Sequence, residues 1–201
     1  MAVYGADAAV PLPPVVRDDT LPTPQSSYGI HKFVCEQLVA DYTRKGYIDG
    51  RAARLMTVSV RPGRPNGAAS GFLSGIVREP LAGMKAVCPV HPSTAVALAS
   101  PATTIAGILA VVEASREAFG GRTALNLPAL TVTVAEMLQA LEQVAGAAVA
   151  ARVRMVPDET VARIVGGWPS RFESARAEGL GLRADASFSD VIAQYLATLT
   201  A

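Results

Sequence analysis

Tyr28 and Lys32 stand at i and i+4 in "SSYGIHK", and both carry groups that can handle a proton. On a helix, residues at this spacing lie one turn apart on the same face. A free tyrosine titrates at about pH 10 and is a poor base at neutrality. A neighbouring ammonium favours the phenolate. Such a pair can take the proton from a hydroxyl while a hydride leaves the same carbon. The alternative is a tyrosine at the edge of the core beside a solvated lysine. Spacing alone does not choose between the two.

The pair needs a helix to hold it. "PLPPVVRDDTLPTPQSS" is too rich in proline for a helix or a central strand, so it reads as a loop. Ser26 or Ser27 then caps a helix from Tyr28 to Arg44, with Ile30, Phe33, Val34, Leu38 and Tyr42 as an apolar stripe. Arg44 and Lys45 fall in its last turn and Gly46 ends it. "ARLMTVSVR", Ala53 to Arg61, is β-branched and reads as one buried strand that breaks into the loop "PGRPNGAAS". Ser70 to Leu81 reads as a short helix stopped at Pro80.

The remainder alternates. "STAVALAS", "RTALNLP" and "ARVRMVP" read as strands. Ser100 and Pro101 open a helix that runs to Phe119. Thr133 and Glu136 have capping-box spacing for a helix that closes on Gly146. Asp158 and Ser187 cap two later helices. This order is α/β. A doubly wound dinucleotide fold opens with a Gly-rich βαβ unit, and "MAVYG" reads as a strand end instead.

Composition narrows the function. The chain has 201 residues, is 50% hydrophobic and carries a formal net charge of +1. That charge gives no case for nucleic acid or an anionic membrane. No apolar run reaches about 18 residues, so no membrane-spanning helix is expected. The N-terminus lacks the basic and apolar regions of a secretion signal, and a cytoplasmic protein is expected. Cys35 and Cys88 make no disulfide framework and read as buried free thiols. No metal site is expected, since His31 and His91 lack ligands at metal spacing.

Several ordered motifs carry a resemblance. "AVYG" with "VVRDDTLPTPQSSYGIHK", then "VSVRPGRPN", then "TALNLPALTVTVAEMLQAL", resembles the extended short-chain dehydrogenase/reductase superfamily, its NAD-dependent epimerase/dehydratase group. Adding "VRPGRPNGAASGFLSGIVREPL" and "GWPSRFESARAEGLGLRAD", the chain is most similar to the D-erythronate dehydrogenase-like proteins of that group. The resemblance implies the C-terminal part of a Rossmann-like α/β fold plus a small α/β substrate-binding lobe. Residues 1–62 and 84–120 would be the remnant of the Rossmann-like sheet and helices, and 63–83 and 121–201 the lobe. The family's Gly-rich phosphate loop, its ribose-binding acid and its catalytic Ser or Thr would fall ahead of Met1. On that basis the chain as given is expected to be truncated and inactive by itself.

Residue by residue, the resemblance implies that Tyr28 is the base and that Lys32 holds the nicotinamide ribose of NAD. Pro62 and Gly63 would pass the nicotinamide, and Arg64, Asn66 and Ser70 would face the substrate. A guanidinium forks well onto a carboxylate, which suits Arg64, whereas Arg61 and Arg78 read as structural salt-bridge or solvated side chains. Asp18 and Asp19 read as turn-forming or solvating residues, and Trp168 and Phe172 as core anchors. The activity implied is oxidation of a small hydroxy sugar acid such as D-erythronate by a homodimer. The other readings are a nucleotide-sugar epimerase or dehydratase of the same superfamily, and a non-catalytic fragment or dimerisation module.

Overall fold

The computed structural model describes residues 1–64 and 68–199. The first helix, α1 (Ser27–Arg44), starts where Ser26 accepts a hydrogen bond from the Gly29 backbone, and Gly46, at φ +76°, takes the chain away from its end. Its packed side is not the expected apolar stripe. Ile30, Val34, Leu38 and Tyr42 are all exposed, and Gly29 is the one buried residue of the helix.

The expected strand over 53–61 is divided. Strand β1 (Ala53–Arg54) runs parallel to β5 (Leu125–Asn126), while β2 (Thr57–Val58) runs parallel to β4 (Ala95–Ala99). The chain changes partners at Leu55 and Met56, and a change of partner ends a ladder whatever the β propensity of the run. Strand β4 also pairs antiparallel with β6 (Leu130–Thr133), giving the three-stranded order β2-β4-β6. A third pair is parallel, β3 (Ala86–Cys88) with β7 (Val153–Met155).

Helix α2 (Phe72–Leu81) passes through Pro80 rather than stopping there, because a proline in the last turn forfeits one ladder bond only. Helix α3 (Pro101–Glu113) begins as expected, with Ser100 Oγ accepting from the Thr103 backbone. It ends early: Ala114 is extended, and Ser115 caps the separate α4 (Arg116–Phe119). The capping box of α5 (Val134–Ala145) forms in both directions between Thr133 and Glu136. Those hydrogen bonds hold the Glu136 carboxyl below the usual carboxylate range. Helices α6 (Ala147–Ala150) and α8 (Ala175–Gly179) are short. Asp158 caps α7 (Glu159–Gly166), and Ser187 Oγ accepts from the Asp190 backbone at the start of α9 (Phe188–Leu199).

The main core lies between α2, α5, α9 and the strands β3, β4 and β6, with Ile76, Leu98, Met137, Leu141 and Ile192 at its centre. Cys88 is buried there and burial pushes its thiol up, whereas Cys35 is exposed on α1, against expectation. A second cluster, around Phe119, Leu125 and Leu127, packs under α3. A third, of Val3, Tyr4 and Val16, packs with Phe33 of α1 and Phe172. Trp168 is half-buried against the main core.

Asp185 ties the C-terminal segment to α3. Its carboxylate accepts from the Ser100 backbone at 2.7 Å and from the Thr103 hydroxyl at 2.8 Å, in a buried setting. Truncating it strands the Ser100 amide. Asp185→Ala is expected to lower unfolding free energy by about 2–3 kcal/mol, read from urea midpoints at unchanged m-value.

Candidate active site

The site is assembled around the first half of α1. Gly29 presses that helix onto the N-terminal segment: a Cβ there would lie 2.1 Å from the Ala2 carbonyl oxygen and 3.0 Å from Pro24 Cβ. Glycine is a weak helix former, and here close backbone approach requires it. This contact sets the position of Tyr28, its neighbour. Tyr28 is 63% exposed, and the Lys32 ammonium lies 5.2 Å from the centre of its ring. The i, i+4 spacing thus becomes a cation–π contact on an open face.

Both side chains line a cavity of about 330 Å³. Its other walls are Met1–Val3, the α1 residues Cys35, Glu36 and Val39, and residues 52–55. The Met1 backbone nitrogen donates to the Leu55 carbonyl at 2.6 Å, which seats the N-terminal segment against β1.

Below the rim is a buried polar network that sequence reading did not find. Arg54 forks onto Glu36, with Nε at 2.9 Å and Nη2 at 2.7 Å from the two carboxylate oxygens. Their side chains are 7% and 11% exposed. Arg54 Nη1 also donates to the Tyr4 hydroxyl, which donates onward to Asn126 Oδ1 at 2.9 Å. Asn126 Nδ2 donates to the Arg17 carbonyl at 3.1 Å. Burial acts to lower the Arg54 value, but the Glu36 hydrogen bonds and the charges nearby outweigh it and leave the guanidinium above its ordinary value. Burial pushes the Tyr4 phenol up, against the Arg54 charge. Tyr4 is therefore a neutral hydroxyl that accepts one hydrogen bond and donates another. The sequence signal covered only one member, since Glu36 continues the Tyr28–Lys32 spacing by one further turn, while its partners lie far along the chain.

The other expected site residues lie apart from this cavity lining. Pro62, Gly63 and Arg64 are exposed, with Gly63 at φ +119°, and Ser70 is half-buried just before α2. Asn66 lies outside the described residues. Arg78 is buried and structural: it donates to the Arg61 carbonyl at 2.9 Å and pairs with Glu79 at 2.6 Å. Asp18 does more than solvate a loop. Its two oxygens accept from the backbones of Asn126 and Arg176, both at 3.2 Å, which joins the proline-rich loop to β5 and α8. Phe172 packs edge-on against Tyr4 at 6.0 Å. Among the described residues, no group of three or more His, Cys, Asp or Glu is placed to hold a metal ion, and no helix is long and apolar enough to cross a membrane.

Comparison with known proteins supplies context for this geometry. Residues 1–96 match the NAD dependent epimerase/dehydratase family. The chain is 50% identical over 196 residues to the D-erythronate dehydrogenase of Cupriavidus necator, a match that covers 98% of this chain and 59% of that protein. It is 41% identical over 196 residues to the D-erythronate dehydrogenase of Haemophilus influenzae, covering 98% of this chain and 61% of that one. The chain therefore spans about three-fifths of the length of these relatives. Among solved structures, the nucleoside-diphosphate-sugar epimerase from Agrobacterium tumefaciens superposes with a TM-score of 0.89 at 43% identity. That match covers 96% of this chain and 55% of the other.

Gly29→Ala tests the close approach under Tyr28. Helix propensity alone would favour alanine by about 1 kcal/mol. The contact with Ala2 is expected to reverse the sign, giving a loss of about 1–3 kcal/mol in chemical denaturation.

Proposed function

We propose that the protein, whose residues 1–96 match the NAD dependent epimerase/dehydratase family, is an NAD-dependent oxidoreductase acting on a small hydroxy sugar acid such as D-erythronate. The observation that carries the proposal is the Tyr28–Lys32 contact on an open cavity, in a chain 50% identical to a D-erythronate dehydrogenase.

The residues present fit one part of the cofactor, the nicotinamide ribose. A phenol and an ammonium, both at the cavity rim, are the donors a ribose diol takes, and Lys32 would hold it there. Pro62 and Gly63 are proposed beside the nicotinamide, and Arg64, Asn66 and Ser70 toward the substrate. NAD, when bound, supplies the acceptor for a hydride. The work of this chain is the proton. Tyr28, acting as the phenolate that the Lys32 charge favours, accepts it at Oη from the substrate hydroxyl and becomes the neutral phenol. A guanidinium at Arg64 suits the substrate's carboxylate as a forked donor. The reading includes a homodimer in the cytoplasm, and a division into Rossmann-like residues 1–62 and 84–120 and a lobe of residues 63–83 and 121–201.

A second reading, a nucleotide-sugar epimerase, draws on the similarity to the Agrobacterium tumefaciens epimerase. The two differ in substrate size. A sugar nucleotide needs a roomy pocket and diphosphate contacts, whereas a four-carbon acid needs one carboxylate clamp.

In the intact protein, Tyr28→Phe is expected to lower NADH formation from D-erythronate by roughly a hundredfold or more, with circular dichroism unchanged. Turnover within twofold of the parent removes Tyr28 as the base. Turnover of a nucleotide sugar in place of D-erythronate selects the second reading.

A further inference from the structure

Helix α1 spans 18 residues, yet buries only Gly29. Among the described residues, Phe33 is the one α1 side chain packed into an apolar cluster, so apolar packing gives the helix a single anchor for its rotation and its position along its own axis. Two contacts bracket the turn that carries Tyr28 and Lys32. At one end Gly29 is pressed onto the Ala2 backbone. At the other Glu36, one turn beyond Lys32, is gripped by Arg54. Among the described residues, this is the one ion pair that joins α1 to a strand.

The grip is directional. Nε and Nη2 of Arg54 reach both oxygens of Glu36, at distances of 2.9, 3.2 and 2.7 Å. A planar fork on a carboxylate fixes orientation as well as separation. The fork cannot swivel, because Nη1 is held by Tyr4 and Tyr4 by Asn126, the residue paired with Arg54 across β1 and β5. Glu36 and Arg54 border the same cavity as Tyr28 and Lys32. The distance from the grip to the reacting group is thus two turns of one helix.

We infer that Arg54 is a positioning residue for the Tyr28–Lys32 pair, acting through Glu36, with Tyr4 and Asn126 holding its guanidinium in place. This rests on the proposed role of Tyr28. Packing alone would be served equally by an apolar pair of similar volume. An apolar pair would not fix the rotation of a helix whose sheet-facing side is otherwise so thinly buried.

Two variants separate geometry from charge in the intact protein. Glu36→Gln keeps the shape and removes the charge. Arg54→Lys keeps the charge and removes the fork. Both are expected to retain the parent circular dichroism spectrum, to lower kcat by roughly ten- to a hundredfold, and to leave KM within about threefold. Placed in a Tyr28→Phe background, each is expected to add little to the loss already present, because the two residues act as one unit. A merely structural role would lower both backgrounds by the same factor. A folded Glu36→Gln or Arg54→Lys variant with parent kcat overturns the positioning role while Tyr28→Phe still loses turnover. Equal additive losses in the two backgrounds overturn it as well. Turnover retained in Tyr28→Phe removes the base and its positioning together.

Discussion

A guanidinium taken out of water must be neutralised and hydrogen-bonded, and Arg54 is the place where this fold meets that demand. Its side chain is 7% exposed. Every partner it uses comes from a different part of the chain: Glu36 from α1, Tyr4 from the N-terminal segment and, through Tyr4, Asn126 from β5. Leaving either member of such a pair alone in the interior costs about 3–5 kcal/mol, so the elements must arrive together. The same demand holds α1 against the β1–β5 pair, and Glu36 and Arg54 line the cavity beside Tyr28.

The neighbouring contacts extend that anchor. Asn126 donates to the Arg17 carbonyl and accepts from Tyr4, while Asp18 caps the Asn126 and Arg176 amides. The Ser174 hydroxyl closes onto the Asn126 carbonyl. The proline-rich loop, β5 and α8 are thereby joined by polar contacts, and Val16 pairs with Phe172 as an isolated bridge. The larger apolar core lies elsewhere, between α2, α5 and α9. The large apolar core and this polar cluster are thus different parts of the molecule. The apolar core sets the frame, and a small polar cluster sets the helix that presents the phenol and the ammonium.

Much of this was legible in the sequence where the signal is local. Ser26, Ser100, Asp158, Ser187 and the Thr133–Glu136 box each cap a helix within three residues of their own position, so type and spacing suffice. The Tyr28–Lys32 contact is local in the same sense. The resemblance read from ordered motifs agrees with the family match and with the D-erythronate dehydrogenases of known organisms. What failed was non-local. The run from Ala53 to Arg61 looks like one strand, but its partners, 125–126 and 98–99, lie far along the chain and end the ladder midway. Ile30, Val34, Leu38 and Tyr42 form an apolar stripe that faces outward, because Gly29 and Glu36 decide which side packs. Cys35 is exposed for the same reason. Glu36 and Arg54 are 18 residues apart, and nothing in their types announces that they meet.

The central claim is that Tyr28, held by α1, meets the substrate hydroxyl. A crystal structure of the intact protein with NAD and D-erythronate tests it most directly. The account predicts Tyr28 Oη within about 2.6–3.2 Å of a substrate hydroxyl, with Lys32 on the ribose and the Glu36–Arg54 fork intact beneath them. A phenol turned to solvent, with another side chain at hydrogen-bond distance from the reacting hydroxyl, would contradict it.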